Sequence, residues 1–338
     1  MLELLKALIE IPSISREEAA AADYLQAAMT SMGLEPKRVG NNLWCSCGSG
    51  PYTVLLNAHI DTVRPCSGWT YDPFKATADG DRLYGLGSND DGASLVALLY
   101  AYKELYAKNL PFRLIFSATA EEEVSGRGGL ETVFPEIGHV DCAVIGEPTG
   151  MAMGIAERGL MVLDCTASGV SGHAAHGNGV NAIYKAMEDI SWFKTYKFPK
   201  VSPLLGQVGM NVTQINAGTA HNVIPDKCTF VVDVRSNECY SNEELLEQIK
   251  ASVNCDVAAR STRLGSSSIS EDHPLVQKGK ALGLPVFGSA TLSNSAVCPF
   301  PALKIGPGDT KRSHTPNEYI MISELEQAKE LYIKLLMP

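Results

Sequence analysis

Three short apolar runs in the first half of the chain, TVLLNA, RLIFSATA and CAVIG, restrict the fold more than any other feature. Each is long enough for one strand, and segments of helical periodicity separate them, which points to an α/β sheet, largely parallel and covered on both faces. The pattern predicts helices over 17–32 and 92–106, and strands over 52–56, 112–118 and 141–145. The three runs also end alike. The first leads into His59 and Asp61, the second into Glu121, Glu122 and Glu123, and the third into Glu147. In an open α/β sheet, ligands bind in the crevice beyond the carboxyl ends of the strands. Carboxylates and imidazoles gathered there repel or desolvate one another unless a positive charge sits among them, so a metal ion is the natural candidate.

Taken singly, each element has a plainer reading. An HxD pair is common, a run of three glutamates is most often a solvated loop, Asp90 in GLGSNDDGAS could cap the helix that begins near Gly92, and GEPTG around Glu147 could be only a turn. Their coincidence is what favours metal. Residues 158–265 have a different texture, reading strand, helix, strand, strand, helix, strand, the β-α-β-β-α-β order of a ferredoxin-like unit. The tail then returns to an α/β pattern. Residues 1–157 and 266–338 are expected to form one domain, interrupted by a second over 158–265.

Composition narrows the partners. The chain has 338 residues, 45% hydrophobic and 20% charged, and a formal net charge of −10 that disfavours nucleic acid and anionic membrane surfaces. Nine cysteines, an odd number without a framework of spacings, suit free thiols in a reducing compartment, and Cys45 and Cys47 of the CxC pair read as strand residues. The opening MLELLKALIE is amphipathic at helical spacing instead of a signal h-region, and no apolar stretch is long enough to cross a bilayer. A cytoplasmic protein is expected.

In order along the chain, NAHIDTV, LYGLGSNDD, TAEEEVSG, IGEPTG, GVSGHAAHGNGVNAI, NVIPDKCTFVVDVR and IGPGDTKRSHTPNEYI resemble the M20 family of dinuclear zinc metallopeptidases, most closely its branch of acetylornithine deacetylases and succinyl-diaminopimelate desuccinylases. The resemblance implies a zinc-exopeptidase-like catalytic domain with two zinc ions, cobalt or manganese being substitutes, and a smaller lid through which two chains form a homodimer. His59, Asp90 and Glu147 would hold one metal, and Glu123, His314 and the bridging Asp90 the other. Asp61 would orient His59 through its second ring nitrogen. Glu122 resembles the general base. Where relatives read DEE this chain reads EEE, which leaves open a register in which Glu121 is the base and Glu122 a ligand. His173 of GHAAHG would stabilise the oxyanion in a neighbouring chain's site, His176 having no such role. Arg235 and Asn222 would contact substrate, the guanidinium gripping a carboxylate, and Gly306 and Gly308 would let backbone approach the ligand.

The implied activity is removal of an acetyl or succinyl group from an amino acid such as N-acetylornithine, in arginine or lysine biosynthesis. Cleavage of dipeptides or C-terminal residues, and desuccinylation of ornithine, citrulline or diaminopimelate derivatives, are the alternatives. A binding protein that had lost catalysis would show a gap among these residues, and a pure dimerisation module would leave the acids at the strand ends unexplained.

Overall fold

A computed structural model describes residues 1–337. The chain opens with helices α1 (Leu2–Ile9) and α2 (Ala19–Ser31), followed by strands β1 (Lys37–Val39), β2 (Asn42–Cys47) and β3 (Thr53–His59). Helix α3 (Gly92–Tyr106), β4 (Arg113–Thr119), β5 (Cys142–Ile145) and β6 (Met153–Glu157) come next. Then follow β7 (Met161–Ser168), α4 (Ala182–Thr195), β8 (Gly209–Ala217), β9 (Lys227–Arg235), α5 (Asn242–Ser252) and β10 (Asp256–Ala259). The chain closes with β11 (Ala302–Lys304) and α6 (Ile322–Leu336). It divides into two compact units. The first comprises Met1–Ile155, Ser268–Phe287 and Ser293–Pro338, and the second Ala156–Ser267 with Gly288–Leu292, a short piece that composition alone places in the first.

In the first unit the strands lie in the order β1-β2-β4-β3-β5-β11-β6. The centre, β4 to β3 to β5 to β11, is parallel, while β2 and β6 run antiparallel to their neighbours. Because a strand alternates its side chains, Leu56, Leu114 and Phe116 enter one core while Leu55 and Ile115 enter another on the opposite face. Both faces are therefore covered, which is why these runs read as unbroken apolar sequence. Helix α3 is apolar over most of its length and ten of its fifteen residues are buried, with Lys103 and Glu104 exposed in the last turn.

In the second unit the sheet order is β8-β9-β7-β10, antiparallel throughout. With α4 and α5 in their places this is the ferredoxin-like order read from sequence. Met161, Leu163, Cys165 and Ala167 of β7, and Cys228, Phe230, Val232 and Val234 of β9, alternate into one core. Polar residues occupy most of the other positions, Val162 and Val231 excepted, as expected of a sheet with one buried face. Strand β8 lies at an edge.

Several boundaries differ from expectation. The strand predicted to stop at Leu56 continues to His59, because β3 stays paired with β4 along its whole length. The last strand of the second unit is short, Asp256–Ala259. The short strands Thr77–Asp79, Arg82–Tyr84 and Tyr319–Met321 form a small sheet of their own that periodicity does not announce. Cys45 and Cys47 are residues of β2, and all nine cysteines are free.

Candidate metal centre

The parallel centre of the first sheet delivers the predicted residues to one place. His59 is the last residue of β3, the three glutamates follow β4, and Glu147 follows β5. Parallel pairing aligns His59 with Thr119, so the chain leaves β3 and β4 at the same level. Ligand atoms of His59, Asp90 and Glu123 lie within 4.8 Å of one another, and so do those of His59, Glu122 and Glu147.

Asp90 occupies the middle. Its Oδ1 is 3.2 Å from His59 Nε2 and its Oδ2 is 3.7 Å from His314 Nε2, so each oxygen faces a different histidine. Nε2 of His314 is also 2.9 Å from Glu123 Oε2. The residue at the start of α3 is Asp91, which removes the reading of Asp90 as a helix cap. The peptide between the two aspartates is cis.

Asp61 does less for His59, and more for the glutamates, than expected. The nearest group to His59 Nδ1 is the main-chain carbonyl of Asp61 at 2.8 Å, with the carboxylate Oδ1 at 3.5 Å. That carboxylate accepts hydrogen bonds from the amides of Glu122, at 3.0 Å, and Glu123, at 3.1 Å, and from the Ser15 hydroxyl at 2.6 Å. Asp61 thus fixes the histidine and the acidic loop together.

The geometry also separates the three glutamates. Glu121 adopts a left-handed backbone with φ 57°, and its side chain turns back to accept from the Gly128 amide at 3.3 Å. A side chain at Gly126 or Gly128 would collide with it. Glu122 and Glu123 join the cluster and Glu121 does not. This geometry supports Glu122 and Glu123 as the functional pair, against the alternative register.

Crowded carboxylates lose water and repel. Removal from water pushes the Glu122 carboxyl up to about 8, with Glu123, Asp61 and Asp90 adding repulsion and His59 opposing it. Burial likewise raises Glu147 well above the usual range, although Lys304 Nζ, 3.7 Å away, pulls the other way. For His59, burial opposes protonation, but the carboxylates of Asp61 and Asp90 outweigh it and hold the ring well above its ordinary value. His314 is raised to about 9, chiefly by its bond to Glu123. Protons are thus retained where a cation would replace them, and a donor set of imidazoles and carboxylates suits a divalent metal such as zinc.

Gly306 and Gly308 differ from expectation. A Cβ at Gly306 would strike the backbone of Glu147 and the Ser94 hydroxyl, and one at Gly308, where φ is 86°, would strike the Asn89 side chain. The close approach they permit is to the chain itself, packing this loop against the segments that carry Glu147 and Asp90.

The other predicted residues belong to the second unit. His173 is exposed, its Nδ1 accepts from the Ala175 amide at 3.2 Å, and its ring lies 5.1 Å from that of His176. The exposed Asn222 stands beside it, its carbonyl accepting from the Ala174 amide at 2.9 Å. Arg235 is half-buried and forms a two-pronged pair with Asp233, at 2.8 and 3.1 Å. Four further residues of the centre escape sequence reasoning: Ser15, Asn89, Lys304 and Glu318. A signal was present for two of them, Lys304 as a lone charge in the apolar run PALKIG and Glu318 inside SHTPNEYI.

With this geometry in hand, comparison with known proteins is informative. A match to peptidase family M20/M25/M40 runs over residues 55–337. The chain is 29% identical to an acetylornithine deacetylase of Proteus mirabilis, covering 99% of this chain and 95% of that protein, and 26% identical to one of Buchnera aphidicola, covering 99% and 97%. Among solved structures it is similar to the aminopeptidase PepT of Bacillus cereus, with a TM-score of 0.79 and 20% identity over 99% of this chain and 96% of that one. A dinuclear metal-binding M20 peptidase of Bacillus subtilis gives a TM-score of 0.73 and 15% identity, with the same coverage of each chain. The chain belongs to peptidase family M20/M25/M40. It is a metal-dependent hydrolase.

Proposed function

We propose that this protein removes an N-acyl group, acetyl or succinyl, from an amino acid such as N-acetylornithine, with two zinc ions held by His59, Asp90, Glu123, Glu147 and His314. The observation that carries the reading is the placement of Asp90, whose two oxygens face two different histidines among carboxylates gathered at strand ends. When bound there, divalent metal polarises an amide carbonyl and brings the pKa of water toward neutrality. Glu122 lies in that cluster beside His59 and Glu147, a placement that suits a group that takes a proton from the attacking water and returns it to the leaving amine. Asp61 keeps Glu122 and His59 in register. His173 supplies a hydrogen bond to the oxyanion from a neighbouring chain, and Asn222 and Arg235 contact the substrate, the latter by exchanging Asp233 for the substrate carboxylate.

The names of the Proteus mirabilis and Buchnera aphidicola relatives support the acetylated substrate. A role in arginine or lysine biosynthesis in the cytoplasm is part of the same reading. Two copies would associate through the second unit, where edge strand β8 offers unpaired backbone groups and Ile215, Tyr184 and Met187 are 54%, 68% and 59% exposed. Peptide cleavage is the second reading, favoured by the likeness to PepT. A hydrolysis panel of N-acetyl and N-succinyl amino acids and dipeptides, with zinc or cobalt supplied, separates the two. Turnover of an acylated amino acid with no dipeptide cleavage is expected. Preferential dipeptide cleavage would replace the first reading with the second, and no turnover of any substrate would remove both.

A further inference from the structure

Glu318 is a buried carboxylate, 2% exposed, in the segment that carries His314. Its Oε1 accepts hydrogen bonds from two consecutive amides, those of Asn89 and Asp90, each at 2.9 Å. Its own carbonyl accepts from Gly85 at 3.1 Å. One side chain therefore takes up the two consecutive backbone donors at the point where the loop presents Asp90. Asn89 returns the connection. Its Nδ2 donates to the Asp309 carbonyl at 3.2 Å and to the Ser313 hydroxyl at 3.1 Å, and its Oδ1 accepts from the Asp309 amide at 3.0 Å. The loop holding Asp90 and the loop holding His314 are laced in both directions, in a region where a free carboxylate would be costly to bury.

Resting on the assignment of Asp90 and His314 as metal ligands, we propose that Glu318 is a positioning residue that holds the Asp90 carboxylate in register with His314, so that the centre is formed before metal arrives. Asp90 contacts both histidines through separate oxygens, so a small rotation of its backbone would misplace it toward both metals at once. Groups that orient ligands in this way typically contribute about 10–100-fold to metal affinity.

Zinc affinity, read by competition with a chromophoric chelator at a temperature where circular dichroism shows each protein folded, tests this. Glu318→Ala should bind zinc about 10–100-fold more weakly than the wild type. Glu318→Asp, one methylene too short to reach both amides, should lose roughly tenfold by the same principle and carries the test if the alanine variant does not fold. Glu318→Gln keeps an oxygen acceptor for Asn89 and Asp90 and should lie much closer to wild type. A merely structural glutamate would lower the unfolding midpoint in chelator and leave the affinity of the folded protein unchanged. Wild-type affinity in the alanine or aspartate variant, or glutamine as weak as alanine, would overturn the positioning role and leave the metal centre standing. A wild-type protein that takes up no zinc would overturn both.

Discussion

Two histidines illustrate how differently the units of this molecule are prepared for chemistry. His59 is 2% exposed and held on both nitrogens, by the Asp61 carbonyl and by the Asp90 carboxylate. His173 is exposed, and its ring meets Ala175 and His176 of its own loop. The first is ordered at the cost of burying a charge, which is worthwhile only where geometry must be fixed in advance. The second retains the freedom of a loop residue, as suits a group that acts when something is brought to it. The contrast is between a preformed centre and an unfinished one.

The sharpest way to break this contrast is within the acidic loop itself. Glu122→Ala should leave metal content near that of wild type and lower turnover by roughly 10²–10⁴-fold, the loss expected for a positioned proton carrier, while Glu123→Ala should lose metal affinity. Metal analysis beside steady-state kinetics reads both, and exchanged phenotypes would show the register to be displaced by one residue. A smaller effect is expected at the exposed histidine, where His173→Ala should lower turnover by about 10²–10³-fold. If His173 serves a second chain, refolding equal amounts of Glu122→Ala and His173→Ala protein should restore roughly a quarter of wild-type activity, since half of the dimers are mixed and each has one complete site. Recovery no greater than that of the parents would leave His173 acting in its own chain or nowhere.

The smallest effect is on stability. Glu122 and Glu318, both pushed up to about 8, bind protons more tightly folded than unfolded. Their contribution is present below their unfolded values, near pH 4.5, and is lost as the pH rises toward 8. His314, raised to about 9, acts in the same direction above pH 6.5. Asp61 and Asp90 are lowered, and the stability they add disappears only below pH 4. In chelator, the unfolding midpoint should therefore fall between pH 5 and 8, and excess zinc should flatten the curve by replacing the protons. A midpoint that rises with pH in chelator would show that the cluster is not strained by its own charge.

What could be read from the sequence follows from how much of each structure is local. Residues 92–106 were legible as a helix because their apolar run is too long for one strand and is rich in helix-forming residues. The ferredoxin-like order was legible because the two central strands of that sheet alternate. His59, Glu123 and Glu147 stood out because polar groups at the ends of apolar runs need an explanation, whereas the assignment of Asp90 and His314 as ligands came from the family resemblance. Glu318 and Asn89 did not stand out, since their work is done through main-chain amides and loop contacts distant in sequence. Gly306 and Gly308 were legible only as places of close backbone approach. A glycine announces a close approach without saying to what, and here the neighbours are Glu147 and Asn89.

The interruption of the first unit by the second sets a timetable on the ribosome. Glu147, the fourth ligand residue in chain order, is made before the whole of 156–267, whereas His314 and Glu318 follow it. At about 5–20 residues per second the gap lasts roughly 10–30 s. Through most of that interval the nascent chain holds its crowded acids with neither β11 to complete the sheet nor the loop that braces Asp90, and by the time that loop emerges the inserted unit possesses every strand of its own sheet. Synthesis thus finishes the guest before the host, and the emergence of the last segment is the moment at which metal can first be held by a full set of donors.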